Sequence, residues 1–406
     1  MSTFSYTGKK PTGERFTARQ EAADRFELYR IIKEHGDELL EYKERSTGKA
    51  VSLNMTLSFL SRINTTEKIN FARNLGLMLE SGLSLARSLS VIERQSKNKM
   101  LKDVIKQLLE EVNKGSTFAE ALAKHEKVFP PIFVSMVHAG EQSGTLSGSL
   151  KSVANQTESA YTLTRRVRGA LMYPGVILGV MITIGVLMFI FVVPTLTKVF
   201  IELKVELPLT TKIIVGISDA IQYHGILVLI LIAIVVAAII FWSKKPSGKN
   251  FLHALVLKLP LIGGLVQEVN SARTARTLSS LISAGVDVVE SVSITGTVVQ
   301  NVHFQRVLAR AGEAIKKGDL MSKVFSEEVA LYPIFFAEML SVGEETGKIG
   351  EMLGNVSNYY ESDVEQKTKN LSTIIEPLLM VVIGAAVGFF AVSMISPIYS
   401  LVNAIN

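Results

Sequence analysis

Gly343-Glu344-Glu345-Thr346-Gly347-Lys348-Ile349 comes near a phosphate-binding loop, in which glycine amides and a lysine cradle the anion. The spacing is one residue short, Ile349 stands where a magnesium-binding Ser or Thr belongs, and a helical pattern precedes it where a strand is needed. A related stretch, Gly140-Glu141-Gln142-Ser143-Gly144-Thr145, has no lysine. Both read as helix–turn–helix corners, so energy must come from another protein. Glu141 and Glu344 are candidates for a divalent cation, although a lone carboxylate lacks the several oxygens such an ion takes. The bland reading is that each caps the helix after its turn or stays solvated. The six His (35, 125, 138, 224, 253, 303) are scattered without a pair at metal-ligand spacing. There is no Cys, hence no disulfide framework and no thiolate site. With no nucleophile beside a base, neither catalysis nor a cofactor is expected.

The chemistry-bearing residues belong instead to a pattern of punctuation. Residues 71 to 200 match residues 274 to 403 at a constant offset of 203 without a gap. Gly82 falls with Gly285, Gly115 with Gly318, Pro130 with Pro333, Gly140 with Gly343, Gly144 with Gly347, Pro174 with Pro377, Gly185 with Gly388 and Pro194 with Pro397. Arg73 with Arg276, Phe133 with Phe336 and Glu141 with Glu344 keep the same register. A duplicated unit follows, and self-similarity at a fixed period decides architecture before any local reading. The unit is helical: Leu101, Val104, Ile105, Leu108, Leu109 and Val112 form one stripe of an amphipathic helix, repeated by Phe304, Val307, Leu308, Ala311 and Ile315. Asn64 with Glu67 three residues on is a cap signature for the first helix.

The chain has 406 residues, 48% hydrophobic and 20% charged, more apolar than an ordinary soluble chain. Ala170 to Pro194 and Gly225 to Trp242 carry no charge, and none follows Glu376. A bilayer crossing needs about 20 apolar residues, so three spans are expected. The middle one holds 13 Leu, Ile, Val and Phe residues, worth about −4 to −8 kcal/mol on an insertion scale. Ten basic residues flank one side of the spans (Lys151, Arg165, Arg166, Arg168, Lys244, Lys245, Lys249, Lys258, Lys367, Lys369) and three the other (Lys198, Lys204, Lys212). Basic residues stay in the cytoplasm, which puts both polar regions there. The opening residues lack an apolar core, so no signal peptide is expected and the N-terminus reads as cytoplasmic. The net charge of +6 is uneven, with +7 over residues 1–169, zero over 170–242 and −1 beyond.

The expected class is an all-α membrane protein with two homologous cytoplasmic helical-bundle domains, three transmembrane helices and a small α+β N-terminal module. The boundaries read as module 1–45, linker 46–64, first helical domain 65–169, span 170–194, outward loop 195–224, span 225–242, connector 243–267, second helical domain 268–372, span 373–400 and outward tail 401–406. In the module, Phe4 to Gly8, Phe16 to Ala18 and Leu39 to Tyr42 have strand character around a helix Ala22 to Lys33, with a turn at Lys10-Pro11-Thr12-Gly13. Two copies, each ending in an outward-going span, share a compartment only if another span returns the chain. Gly225 to Trp242, which has no partner in the repeat, is that return.

Several motifs together carry a family resemblance. They are Phe71-Ala72-Arg73 through Leu79-x-Ser81-Gly82, Gly140-Glu141-x-Ser143-Gly144-x-Leu146, Glu206-Leu207-Pro208-Leu209-Thr210, Leu259-Pro260-Leu261-Ile262-Gly263, and Ala275-Arg276-Thr277-Leu278 with Ala284-Gly285-Val286. Phe4-x-Tyr6-x-Gly8 with Gly13 is similar to the family's opening. In this order, around two copies and three spans, the chain resembles the inner-membrane platform protein of type IV pilus and type II secretion machines, the secretion-F family. The resemblance implies a non-enzymatic, homo-oligomeric scaffold in the inner (cytoplasmic) membrane. It would bind a hexameric assembly ATPase through its helical domains and convey work to pilins or pseudopilins. Other inner-membrane assembly proteins and membrane lipids would be partners, and nucleic acid would not.

Other features keep two readings each. Arg165-Arg166-Val167-Arg168 and Lys244-Lys245 either bind anionic lipid or the ATPase, or are ordinary cytoplasmic-side anchors. Gly175-x-x-x-Gly179 and Gly384-x-x-x-Gly388 allow close helix approach, between subunits or inside one chain. Pro174 and Pro377, where helix meets bilayer, are expected to kink or join helices. The competing class is a transporter or channel component, against which stand spans without ionisable residues. Because the chain lacks cysteine, single introduced cysteines test the topology. Thiol reagents should reach residues in 65–169 and 268–372 from one side and residues in 195–224 from the other; domains labelled from opposite sides would refute the duplicated-unit topology.

Overall fold

Strand character at Phe4 to Gly8 is realised within β1 (Ser2–Lys9). It pairs antiparallel with β2 (Arg15–Ala22) and with β3 (Glu38–Arg45), giving a three-stranded sheet of order β2-β1-β3. Helix α1 (Arg25–Glu34) starts three residues later than expected, because Ala22 still belongs to β2. Leu28 and Ile32, one turn apart, bury their side chains with Ala22 in this module's own small core, against Tyr6. The computed structural model describes residues 2–9, 15–22, 25–34, 36, 38–45, 63–202, 207–260 and 262–405. The turn at Lys10 to Gly13, the linker up to residue 62, Glu206 and Leu261 lie outside the described residues. The chain divides into two compact units, 1–63 with 97–102, and 64–96 with 103–406.

The first repeat begins with α2 (Thr65–Glu80), and the Asn64 N–H donates to Glu67 Oε2 at 2.8 Å, the cap expected there. There follow α3 (Leu85–Gln95), α4 (Lys99–Asn113), α5 (Phe118–Ala123), α6 (Pro131–Gln142) and α7 (Leu146–Leu187). A π turn over Met188–Val192 joins α7 to α8 (Val193–Glu202). Helix α9 (Leu209–Lys244) returns the chain and leads into α10 (Pro246–Lys258). The second repeat comprises α11 (Ile262–Ser283), α12 (Val288–Val298), α13 (Val302–Lys316), α14 (Met321–Ser326), α15 (Ile334–Thr346) and α16 (Ile349–Ile405). Helices α12, α13, α14, α15 and α16 each begin 203 residues after their counterparts, for instance Leu146 and Ile349, so the repeat is one of backbone as well as residue type.

The stripes read from the sequence point inward. Leu101, Val104, Ile105 and Leu108 are buried in α4, as are Phe304, Val307, Leu308 and Ala311 in α13. In the first repeat Phe71, Phe129 and Phe133 stack with centroids 5.5 and 4.9 Å apart. The second repeat keeps Phe336 at the Phe133 position but has Thr274 for Phe71 and Tyr332 for Phe129. Thr274 Oγ1 and Tyr332 Oη lie 3.0 Å apart, both wholly buried. A ring pair has been exchanged for a hydrogen-bonded pair, the condition on which a tyrosine hydroxyl tolerates a dry core.

Three helices are long and apolar enough to cross a membrane: α7 continued through α8, α9, and α16. Helices α10 and α11, bent by 110°, meet the same criterion only when joined. Leu265 of α11 is part of the second repeat's core and Leu257 of α10 packs against it. In α9 the residues from Ile226 to Trp242 present apolar side chains all round, and such a helix belongs in lipid or a protein interior.

Pro174 and Pro377 lie inside α7 and α16, which run on through both positions as single helices. A bilayer-spanning helix tolerates proline where neighbouring groups satisfy the freed carbonyl. The non-α backbone lies farther on, in the π turn at Met188–Val192. The segment 195–224, expected as a loop, is largely helical, in α8 and the first half of α9. Val193, Phe200, Ile214 and Met394 bury one another there, and Thr211 Oγ1 donates to the Ser393 carbonyl at 2.5 Å. His224 (φ −124°, ψ 24°) interrupts α9 just before the uncharged stretch begins at Gly225.

Thr274→Val should lower stability by about 1–3 kcal/mol, because it orphans the buried Tyr332 hydroxyl. Adding Tyr332→Phe should recover most of that, since the first repeat holds two apolar rings at these positions. Thermal unfolding of the detergent-solubilised chain measures both; additive losses would show that the two hydroxyls are not coupled.

Candidate functional site: the junction of helical domains and membrane helices

Glu141 and Glu344 play the same part in the two repeats, and it differs from the one expected. Both capping contacts reach back about 23 residues instead of forward to the helix after the turn. Glu141 Oε1 accepts the Phe118 N–H at 2.7 Å and Oε2 the Ala119 N–H at 3.0 Å, at the start of α5. Glu344 accepts the Met321 N–H at 2.7 Å and the Ser322 N–H at 3.1 Å, at the start of α14. A carboxylate is well placed at a helix N-terminus, where free amides and the dipole favour negative charge. Both oxygens of each glutamate are thus engaged. Among the described residues no group of three or more His, Asp or Glu is placed to hold a metal ion.

The glycines of the same corners have separate duties. Gly144 and Gly347 lie in the left-handed region at φ 72° and 70°, where a side chain is strained. After Gly347 the Lys348 N–H donates to the Gly343 carbonyl at 2.9 Å, closing the end of α15. Gly343 admits no side chain, because a Cβ would meet Ile349 Cα at 2.9 Å, and at Gly140 it would collide with Ser149. Gly82 and Gly285 turn the chain after α2 and α11. By contrast a Cβ at Gly175, Gly179, Gly384 or Gly388 would meet nothing within 4 Å among the described residues, so no neighbour there approaches these glycines closely.

Above the corners, polar side chains tie the domains to the roots of the long helices. Arg73 meets Glu158 at 2.5 Å, and 203 residues on Arg276 meets Glu361, with Nε–Oε1 2.8 Å and Nη2–Oε2 2.9 Å, while Nη2 also donates to Asn358. The second, two-pronged pair is the more enclosed, and geometry of that kind gives an arginine pair its directionality. Between the repeats, buried Gln156 donates to Thr277 Oγ1 at 3.3 Å and accepts from Ser280 Oγ at 3.0 Å. Arg273 donates to Thr164 Oγ1 at 3.1 Å, and Arg166 pairs with Glu365 at 2.8 Å. Of the basic cluster, Arg166 therefore joins the repeats, whereas Arg165 and Arg168 are exposed, as are Lys244 and Lys245. Lys367 pairs with Glu268, whose burial pushes its carboxyl above the usual range. Protonation favours that folded-state carboxyl, so its contribution to stability falls as pH rises from the ordinary carboxylate value through the raised one.

Sequence reasoning missed His253. Its Nδ1 accepts the Val302 N–H at 3.1 Å, capping α13 from α10, and Arg306 donates to Asn250 at 2.9 Å beside it. Burial holds the imidazole below its ordinary pKa, which favours the neutral, accepting form. The partners are 49 residues apart, a spacing with no local signal.

Helices α7 and α16 run parallel. Glu158, Thr162 and Arg166 line one hollow with Glu361, and farther along the three apolar helices enclose a cleft of about 580 Å³. Val180, Ile184, Ile217, Val387 and Phe390 are among its walls, and every lining residue is apolar. The apolar cleft has the chemistry to accept an apolar helix, and its walls carry no ionisable side chain.

Comparison with known proteins gives two matches to one family, Type II secretion system (T2SS), protein F, over residues 71–194 and 274–397. Their starts and ends differ by the same 203 residues as the internal repeat. The chain is 29% identical over 407 residues to the type IV pilus assembly protein PilC of Thermus thermophilus, covering 100% of both. It is 32% identical over 342 residues to PilC of Pseudomonas aeruginosa, covering 83% of this chain and 90% of that one. With the type II secretion system protein F of the same organism it shares 24% over 401 residues, covering 99% of each.

Glu344→Ala should cost about 2–3 kcal/mol, from loss of two amide bonds to a charged acceptor. Glu141→Ala should cost less, because Thr117 also accepts from the first turn of α5, through the Glu120 N–H at 3.2 Å, whereas α14 has Leu320 at that position and no side-chain cap. Hydrogen exchange over 118–123 and 321–326 reads the difference; equal loss of protection at both would contradict it.

Proposed function

The chain belongs to the type II secretion system protein F family, and on that premise we propose that it is the inner-membrane platform of a type IV pilus or type II secretion assembly. Its two helical domains face the cytoplasm and dock an assembly ATPase; the membrane helices hand the resulting movement to pilins or pseudopilins. The protein itself is a scaffold and hydrolyses nothing. The ten-to-three distribution of basic residues about the spans supports the orientation, and the names and full-length similarity of the relatives support the machine.

One observation carries the coupling. Helices α7 and α16 leave the domains and enter their apolar stretches as uninterrupted helices, through Pro174 and Pro377. A helix that continues across the proline, short of one backbone hydrogen bond there, still links the two parts, so a tilt of either domain moves the part that follows. Arg73–Glu158 and Arg276–Glu361 clamp each helix to the first helix of its domain, close to where that lever begins. The apolar cleft between the membrane helices supports an apolar helix as the thing moved, and it speaks against a solute path.

The full-length protein in detergent should retain the hexameric ATPase of its own assembly system. Inserting two glycines after Arg168, in the lever of α7, should leave that retention intact and abolish pilus or secretion output. Normal output from the insertion variant would overturn coupling through the helix, and failure of the unmodified protein to retain the ATPase would overturn docking.

A further inference from the structure

The two repeats pack on each other through unlike faces. Helices α6 and α7 of the first meet α11, α12 and α16 of the second: Gln156 with Thr277 and Ser280, Thr164 with Arg273, Arg166 with Glu365, and Ser135 Oγ with Glu290 Oε1 at 3.1 Å. A two-fold arrangement would repeat each contact with the copies exchanged. It does not occur here. Tyr359, at the position of buried Gln156, is 54% exposed, and Leu77, at the position of Ser280, is 46% exposed. Leu83 is 36% exposed where Val286, its counterpart, is 7% exposed. Among the described residues the internal interface uses one face of each copy and leaves Tyr359 of the second and Leu77 and Leu83 of the first uncovered on the complementary faces.

We propose that these two uncovered faces bind each other between chains, the second repeat of one chain docking on the first repeat of the next and reproducing the internal interface. The occupant is a second copy of this chain, and charge supports that choice. Shifted by the repeat, the Ser135–Glu290 contact becomes Glu338 against Arg87 of the next chain, an acid against a base. Both side chains are exposed, and neither has an ion-pair partner among the described residues. The Gln156 contacts become Tyr359 over Asn74 and Leu77, with Phe335 stacked on Tyr359 at 4.9 Å to widen the apolar platform. Pairing of like copies is disfavoured: second repeat on second repeat would set Glu338 against Glu290, two carboxylates. Such like-charge juxtaposition is how interfaces reject wrong partners.

A head-to-tail contact of this kind propagates from chain to chain. Because α7 and α16 run parallel, the step from one repeat to the next keeps the membrane helices pointing the same way, and the series of alternating repeats stays in the plane of the bilayer, a ring where the rotation closes and an open row where it does not. The series does not depend on which ATPase or pilin the protein serves.

The absence of cysteine makes the test direct. Arg87→Cys and Glu338→Cys are introduced into separate full-length chains, co-produced in membranes and oxidised mildly. A disulfide-linked species of twice the chain mass is expected in the mixture and in neither variant alone. Ser135→Cys with Glu290→Cys in one chain reports the internal contact and confirms folding. Closure of that internal pair without an inter-chain product, or dimers from R87C alone or E338C alone, would overturn the proposal. In parallel, R87E or E338R should weaken self-association of the detergent-solubilised chain roughly tenfold or more, and the double reversal should restore it; a double variant as weak as the singles would equally refute the pairing.

Discussion

Two copies of one helical unit, each continuing into an apolar helix that leaves in the same direction, cannot share one side of a bilayer unless the chain is brought back across it. That constraint governs the architecture. It requires an odd helix outside the repeat, supplied by α9, and it places the side chains that link the copies near where the two long helices leave their domains. The apolar helices carry little intramolecular burial, as helices apolar all round do when lipid or another apolar surface covers them.

Within that frame the duplication has kept what closes backbone and has varied what fills space. The glutamate that reaches back to cap the short helix occurs in both copies, as do the arginine–glutamate clamp and the glycine that ends the corner. Each answers a fixed requirement: free amides need an acceptor, a positive φ needs a glycine, and a partly enclosed guanidinium needs its carboxylate. The core between them drifted, because shape and polarity there must match only the immediate neighbours. Phe71 with Phe129 in one copy and Thr274 with Tyr332 in the other are two solutions to one cavity. The clamp tightened in the second copy, from a single 2.5 Å contact to a two-pronged pair joined by Asn358.

Much of this was legible along the chain. Apolar positions three and four apart announced α4 and α13, and Asn64 with Glu67 announced the start of α2. Family membership rests on the same punctuation, since the matched segments repeat at the spacing of the glycines and prolines. The misreadings share a cause, a local rule applied where distant partners prevail. A stretch with charges between two uncharged apolar runs reads as a loop, yet Phe200 and Ile214 share a core with Met394, nearly two hundred residues on. A carboxylate just before a turn reads as a cap for the helix that follows or as solvated, yet Glu141 and Glu344 reach backward because α5 and α14 fold against the same corner.

By itself the sequence determined the duplication, the helical period, the three apolar stretches and the turns that separate them, because each depends on residue type and near spacing alone. Only the tertiary structure decided which face of one copy covers which face of the other. Gln156 and Tyr359 occupy the same place in their repeats, and nothing near either residue reveals that one is buried and the other open. Burial belongs to a pair of surfaces and not to a residue, so two equivalent positions take opposite fates once a heterologous interface covers each copy on one side only.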